Sequence, residues 1–142
     1  MIDGVKIKEF QDIMTPQGGV QHMLKLGDGF FQSFGEMYFS IINPGVIKGW
    51  HKQFEQTNIF SCIKGKIRLV LYDKREGSPT FGAFQEIVFG DGERKIVLIP
   101  SNITYGWKCI SDEPAMIANL ATQVHDPAKA IKLGLQDIPY RW

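Results

Sequence analysis

Short apolar segments at close spacing restrict this 142-residue chain to a β-fold. Alternating or fully apolar runs recur as GEMYFSIIN, TNIFSCI, KIRLVLYD, FQEIVFG, RKIVLIP, YGWKCI and PAMIANLA. Turn-forming residues separate them, as in Asn43-Pro44-Gly45 and Gly90-Asp91-Gly92. Because many short strands joined by tight turns pack as two sheets, the pattern predicts an all-β sandwich or barrel that forms a single domain over residues 1–142.

Alternation within KIRLVLYD indicates how a strand of this barrel is oriented. Ile67, Leu69 and Leu71 share one face, and the residues between them share the other, so the first face is expected in the core. The only predicted helix is one or two turns over residues 126–133, with Asp126 as N-cap. The C-terminal tail GLQDIPYRW is rich in apolar and aromatic residues, and we expect it to dock on the body of the protein.

Charge and composition exclude several classes of function. Sixteen Lys and Arg residues against fifteen Asp and Glu residues give a net charge of +1, so no overall field attracts nucleic acid or an anionic membrane surface. The N-terminus lacks a secretory pattern, and no apolar run is long enough to span a bilayer, so we expect a cytoplasmic protein. Cys62 and Cys109 lie in apolar segments and are predicted to be reduced core residues.

The segment GVIKGWHKQFEQTNIFSCIKG has the residue spacing of a metal-binding cupin strand but lacks most of its ligands. Gly45, His51, Gln53, Asn58 and Gly65 occupy the places of a glycine, two histidines, a carboxylate and a closing glycine. One imidazole with amide neighbours is a poor ligand set for zinc, iron or manganese. The sequence therefore predicts a cupin-type jelly-roll barrel that binds no metal.

The start of this segment and two later motifs support a more specific resemblance. GVIKGWHKQ, LYDKREGSPTFGAF and IPSNITYGW, together with VHDP and the closing Trp142, resemble the nucleotide-sugar 3,5-epimerase family, whose members are metal-free cupins typified by dTDP-4-dehydrorhamnose 3,5-epimerase. The resemblance implies a cofactor-independent reaction on a nucleotide-linked 4-keto-6-deoxy sugar, used for surface polysaccharide such as lipopolysaccharide or for other deoxysugar products. A proton next to the ketone is removed and returned on the opposite face, which needs a base, an acid and donors for the enolate oxygen.

The resemblance also assigns roles to residues. His51 matches the catalytic base, and Tyr105 or His125 is the expected acid. The predicted substrate-binding residues are Lys48, Gln53, Asn58, Arg75 and Trp107. Arg75 also has a simpler interpretation, a structural salt bridge with Asp73 beside the Gly-Ser-Pro turn.

Several positions depart from the family pattern. Asn58 replaces a lysine that stabilises the enolate, and Leu135 stands where an aspartate normally orients the base, so Glu36 or Glu55 would have to supply that carboxylate. Tyr105 and His125 exchange a histidine and a tyrosine between two positions of the family.

These departures leave two other hypotheses open. The first is a non-catalytic cupin that binds a sugar nucleotide but has lost the epimerase residues, and the second is a metal cupin. For the epimerase and for the non-catalytic cupin the expected ligand is a nucleotide sugar, and the resemblance implies a homodimer.

Overall fold

The computed structural model describes all of residues 1–142, which form twelve β-strands and two single turns of 3-10 helix. The strands are β1 Lys6–Glu9, β2 Gln11–Thr15, β3 Gly18–His22, β4 Glu36–Ile42, β5 Ile47–Gln53, β6 Asn58–Lys64, β7 Lys66–Asp73, β8 Phe84–Gly90, β9 Lys95–Ile99, β10 Ile103–Cys109, β11 Ala115–Ala121 and β12 Ala130–Lys132. The helical turns span Pro127–Lys129 and Leu135–Asp137. None of the helices is long and apolar enough to cross a membrane.

Ten of the strands form two antiparallel five-stranded sheets. Sheet I has the order β1-β9-β6-β11-β4, and sheet II has the order β12-β5-β10-β7-β8. Strands β2 and β3 form a separate hairpin. Sequence neighbours are often not sheet neighbours, because the chain crosses between the two sheets as it does in a jelly roll. The structure therefore confirms the predicted all-β, cupin-type architecture.

The core lies between the sheets and follows the alternation of the sequence. Ile67, Leu69 and Leu71 are fully buried there, as predicted from KIRLVLYD. Burial of each such side chain contributes about 1.5–3 kcal/mol relative to its exposure to water. Cys62 and Cys109 are buried free cysteines in the same core, as predicted, and burial raises the pKa of the Cys62 thiol to about 12.

The C-terminal segment covers the outer face of sheet II. Strand β12 adds to the sheet edge beside β5, and the backbones of Trp50 and Leu133 exchange two hydrogen bonds of 2.9 and 2.8 Å. The rings of Tyr140 and Trp142 then pack over Trp50, which is fully buried, at centroid distances of 5.9 and 5.1 Å. The predicted docking of the tail is confirmed.

The helix predicted over residues 126–133 is confirmed only for its first turn. Asp126 caps that turn, since its Oδ1 accepts a hydrogen bond of 3.0 Å from the Ala128 amide. Residues 130–132 instead become strand β12, because pairing with β5 satisfies their backbone groups and one further helical turn would not.

The Gly-Ser-Pro turn between β7 and β8 is organised around one buried carboxylate. Asp73 is fully buried and accepts hydrogen bonds from the Arg75 guanidinium and from the Ser78 and Thr80 hydroxyls, at 2.6 to 2.9 Å. Arg75 and the two hydroxyls hold the pKa of Asp73 well below its usual range. The structural salt bridge between Arg75 and Asp73 is therefore present.

Candidate active site

A cavity of about 370 Å³ lies between the two sheets and brings together most of the polar residues singled out in the sequence. Strands β5 and β10 of sheet II contribute four of the side chains that line it. The other four come from β4 and β6 of sheet I and from the segment after β11. The lining residues are Glu36, Tyr38, His51, Gln53, Phe60, Tyr105, Trp107 and His125. A neighbouring cavity of about 310 Å³ shares His51, Gln53 and His125 and is also lined by Lys132. Both volumes are in the range of small-molecule sites.

Strand β5 directs His51 into the cavity because its neighbour Trp50 points the other way, under the C-terminal tail. On the sheet ladder, His51 lies between Tyr105 of β10 and Lys132 of β12. The Trp107 ring stacks on the imidazole at a centroid distance of 5.3 Å and an interplanar angle of 29°, and the Tyr105 ring lies 5.7 Å away. Aromatic packing therefore sets the orientation of the His51 ring.

His51 is a neutral imidazole at physiological pH. Burial, together with the positive charges of Lys132 and Lys48, lowers the pKa of His51 to about 4. Its Nε2 atom is buried without a hydrogen-bond partner. A neutral ring with an unpaired nitrogen can accept a proton, although the low pKa makes it a weaker base than an ordinary histidine.

No carboxylate orients His51. Leu135, at the position where the family pattern has an aspartate, lies beside Gly49. Glu36 accepts a hydrogen bond of 3.2 Å from the His125 amide, and Glu55 forms an ion pair of 3.0 Å with Lys129. Neither glutamate hydrogen-bonds to the imidazole, so the suggestion that one of them replaces the missing aspartate was wrong.

Tyr105 reaches across the barrel to a buried amide. Its hydroxyl accepts a hydrogen bond of 3.1 Å from Asn58 Nδ2, and the Asn58 side chain is 1% exposed. Burial raises the pKa of Tyr105 far above its ordinary value, so this phenol stays protonated at neutral pH. Asn58 was expected to contact the substrate. It does not line the cavity, because its amide nitrogen is directed to Tyr105, which forms part of the cavity wall.

A second phenol, which the sequence offered only as a ring that could stack on a sugar and which was not assigned to the site, also faces the cavity. Tyr38 of β4 lines it from sheet I, and its hydroxyl accepts a hydrogen bond of 2.9 Å from Asn119 Nδ2. Asn119 is 1% exposed and also donates to Asn58 Oδ1 at 3.2 Å. The signal for this arrangement was a single polar residue on the inward face of the otherwise apolar strand PAMIANLA.

The structure separates the remaining predicted site residues. Gln53, Trp107 and His125 line the cavity with His51 and Tyr105. Lys48 does not line it, since its ammonium group donates to Ile41 O at 2.6 Å and to Ser40 Oγ at 3.2 Å and is thereby tied to β4. Arg75 is bound to Asp73 at the Gly-Ser-Pro turn, away from both cavities.

The chemistry available in the cavity is proton transfer. A neutral imidazole on one sheet faces phenol, carboxylate and amide groups, some of which come from the other sheet. No three His, Cys, Asp or Glu side chains are clustered closely enough to bind a metal ion.

Comparisons with known proteins identify the family. The sequence model of dTDP-4-dehydrorhamnose 3,5-epimerase matches residues 20–142. The probable low-salt glycan biosynthesis epimerase Agl13 of Haloferax volcanii is 32% identical over 127 residues, which are 88% of this chain and 81% of Agl13. The spore coat polysaccharide biosynthesis protein SpsL of Bacillus subtilis is 28% identical over an alignment that covers 100% of this chain and 97% of SpsL.

A solved structure extends the match to the whole fold. The crystal structure of a dTDP sugar isomerase from Desulfovibrio desulfuricans superposes with a TM-score of 0.92 and 34% identity, and the match covers 99% of this chain and 92% of the isomerase. The family model and both sequence relatives point to the same group of proteins as the motifs around His51, Ser78 and Tyr105. The chain therefore belongs to the dTDP-4-dehydrorhamnose 3,5-epimerase family.

Proposed function

We propose that the protein is a cofactor-independent epimerase that inverts a carbon next to the ketone of a nucleotide-linked 4-keto-6-deoxy sugar. The observation that carries this proposal is the neutral His51 imidazole, which lines a polar cavity between the two sheets together with phenol, carboxylate and amide side chains. The names of the relatives Agl13 and SpsL support a product that is used in polysaccharide.

His51 begins the reaction as the base. It takes a proton from the carbon next to the ketone, and the electron pair of the broken C–H bond moves to the ketone oxygen as an enolate. A proton then returns to the same carbon from the opposite face, and the ketone forms again. The sugar has then changed configuration with no net gain or loss of atoms, so the protein has to supply only proton transfer and donors for the enolate oxygen.

The positions of the two predicted acids differ. Tyr105 is the ladder partner of His51 on sheet II, so it stands beside the base. His125 lies in the segment that leads from β11 of sheet I to β12 of sheet II, and its backbone amide donates to Glu36 of β4 in sheet I. Since the acid must act on the face of the sugar that is turned away from the base, this placement favours an acid from the sheet I side over Tyr105.

A non-catalytic, sugar-binding cupin is the second function that specific observations support. No carboxylate orients His51, and the amide that replaces the enolate lysine is occupied by Tyr105. Against it, the cavity retains His51, Gln53, Tyr105 and His125, whereas an abandoned site tends to fill with apolar side chains.

The first prediction separates the two functions by hydrogen exchange. We expect the protein to exchange the hydrogen next to the ketone of dTDP-4-keto-6-deoxyglucose with deuterium in heavy water, followed by NMR. His51→Ala should slow this exchange by about 10²- to 10⁴-fold, because it removes the base. His22→Ala, a variant of an exposed histidine on the β2–β3 hairpin, is the control and should exchange at the wild-type rate. Tight binding of the sugar nucleotide without any exchange would establish the non-catalytic function instead.

The second prediction concerns the titration of His51 in the free protein. An NMR titration of its imidazole should give a midpoint near pH 4, and Lys132→Gln should move that midpoint upward because it removes a nearby positive charge. Because the folded pKa lies below the ordinary value of 6.5, neutral His51 stabilises the fold fully above that pH, and this contribution falls as the pH drops from 6.5 to 4. Lys74→Gln, a lysine near Tyr72, should leave the midpoint unchanged. A midpoint near 6.5 in the wild-type protein would contradict the assignment.

We also propose a homodimer, and the outer face of sheet I supports it. Met37, Phe39 and Ile41 project outward from the edge strand β4 and are 47, 59 and 57% exposed. An edge strand with an exposed apolar face favours association with a second copy of the chain. Light scattering should give the mass of a dimer for the wild-type protein and for Val20→Lys, and a lower mass for Phe39→Lys. A monomeric wild-type protein would rule the dimer out.

A further inference from the structure

Two phenols reach the cavity, and they stand on opposite sheets. Tyr105 extends from β10 of sheet II, beside His51. Tyr38 extends from β4 of sheet I, so it faces the side of the cavity that lies across from the base. Tyr38 is 44% exposed, whereas Tyr105 is 5% exposed. An ionised Tyr38 would therefore be better solvated than an ionised Tyr105.

Buried amides fix the direction of both phenol hydroxyls. Asn58 Oδ1 accepts hydrogen bonds from Gln56 Nε2 at 2.7 Å and from Asn119 Nδ2 at 3.2 Å, so the amide nitrogen of Asn58 is turned towards Tyr105. The Asn119 amide nitrogen donates its second proton to Tyr38. Each phenol oxygen thus accepts an amide proton. Tyr105 also lies within hydrogen-bond reach of Gln53, whereas the O–H proton of Tyr38 has no acceptor in the protein and is free to point into the cavity.

Asn119 holds this orientation at a cost. Its Oδ1 atom is buried and has no hydrogen-bond donor, which destabilises the folded protein. An apolar residue would avoid the cost at this position. The other end of the amide explains why an asparagine is present here. Asn119 Nδ2 donates hydrogen bonds to Asn58 and Tyr38 and so orients both side chains.

We propose that Tyr38 is the proton donor that completes the inversion and that Asn119 is its positioning residue, an assignment that rests on the epimerase function proposed above. After His51 has removed a proton from one face of the sugar, the Tyr38 O–H bond breaks and its proton joins the carbon on the other face. The electron pair of the enolate forms the new C–H bond, and the ketone is restored. The phenolate that remains accepts a hydrogen bond from Asn119 and then takes a proton from water, while the His51 imidazolium returns its proton to water.

With these roles, hydrogen exchange needs only the base, and inversion needs both the base and the donor. His51 alone can remove the hydrogen, exchange its proton with solvent and return a deuteron to the same face. Inversion additionally needs the donor on the far face. A loss of the donor therefore stops inversion and leaves exchange, whereas a loss of the base stops both.

The test measures exchange and inversion side by side for dTDP-4-keto-6-deoxyglucose in heavy water by NMR. Tyr38→Phe should slow inversion by about 100-fold or more and keep exchange near the wild-type rate. Asn119→Leu should also slow inversion with exchange retained, and its thermal midpoint should not fall, because the unpaired Oδ1 is removed. Tyr72→Phe, which alters a phenol stacked on Phe84 outside the cavity, is the control and should invert normally.

Three results would overturn the assignment. Inversion at the wild-type rate in Tyr38→Phe would exclude this residue as the donor, and a selective loss of inversion in His125→Asn would then identify His125 in its place. A parallel loss of exchange and inversion in Tyr38→Phe would mean that the phenol holds the enolate oxygen. A wild-type protein that exchanges nothing would show instead that the proposed epimerase function itself fails.

Discussion

The pairing of β5 with β10 on one side and β12 on the other is the constraint on which the site depends. Strand β5 carries Trp50 and His51 on opposite faces, and the C-terminal tail buries Trp50 completely. A slip of one residue in this register would place the imidazole under the tail and the indole in the cavity. The tail therefore does more than cover an apolar face: by holding Trp50, it fixes which face of β5 is directed to the cavity.

The two sheets contribute different polar groups to the interior. Sheet II carries His51, the proposed base, which burial and nearby lysines keep neutral, and stacking on Trp107 orients its ring. Sheet I supplies the buried amides of Asn58 and Asn119, which donate hydrogen bonds to the oxygens of Tyr105 and Tyr38. The proposed base and the proposed proton donor stand on different sheets, so that each can reach one face of a sugar ring. The proposed reaction therefore needs the two facing sheets of the jelly roll.

Local sequence patterns predicted most of the fold and about half of the site. Alternation indicated the strands and the buried face of β7, and the motif matches indicated the family and singled out His51, Tyr105 and Trp107, which the structure brings together in one cavity. Contacts that cross the barrel were not predictable, because alternation indicates the face of a side chain and not the residue opposite it. For this reason the sequence did not predict that Lys48 binds to β4, that Asn58 contacts Tyr105 or that Asn119 contacts Tyr38.

A crystal structure of the protein with a dTDP-linked 4-keto sugar tests most directly the claim that the two sheets act on opposite faces of one ring. The sugar should lie between His51 and Tyr38, with the reacting carbon within about 3–3.5 Å of an imidazole nitrogen on one face and of the phenol oxygen on the other. A sugar ring that contacts both residues with the same face, or that binds outside the cavity between the sheets, would contradict it.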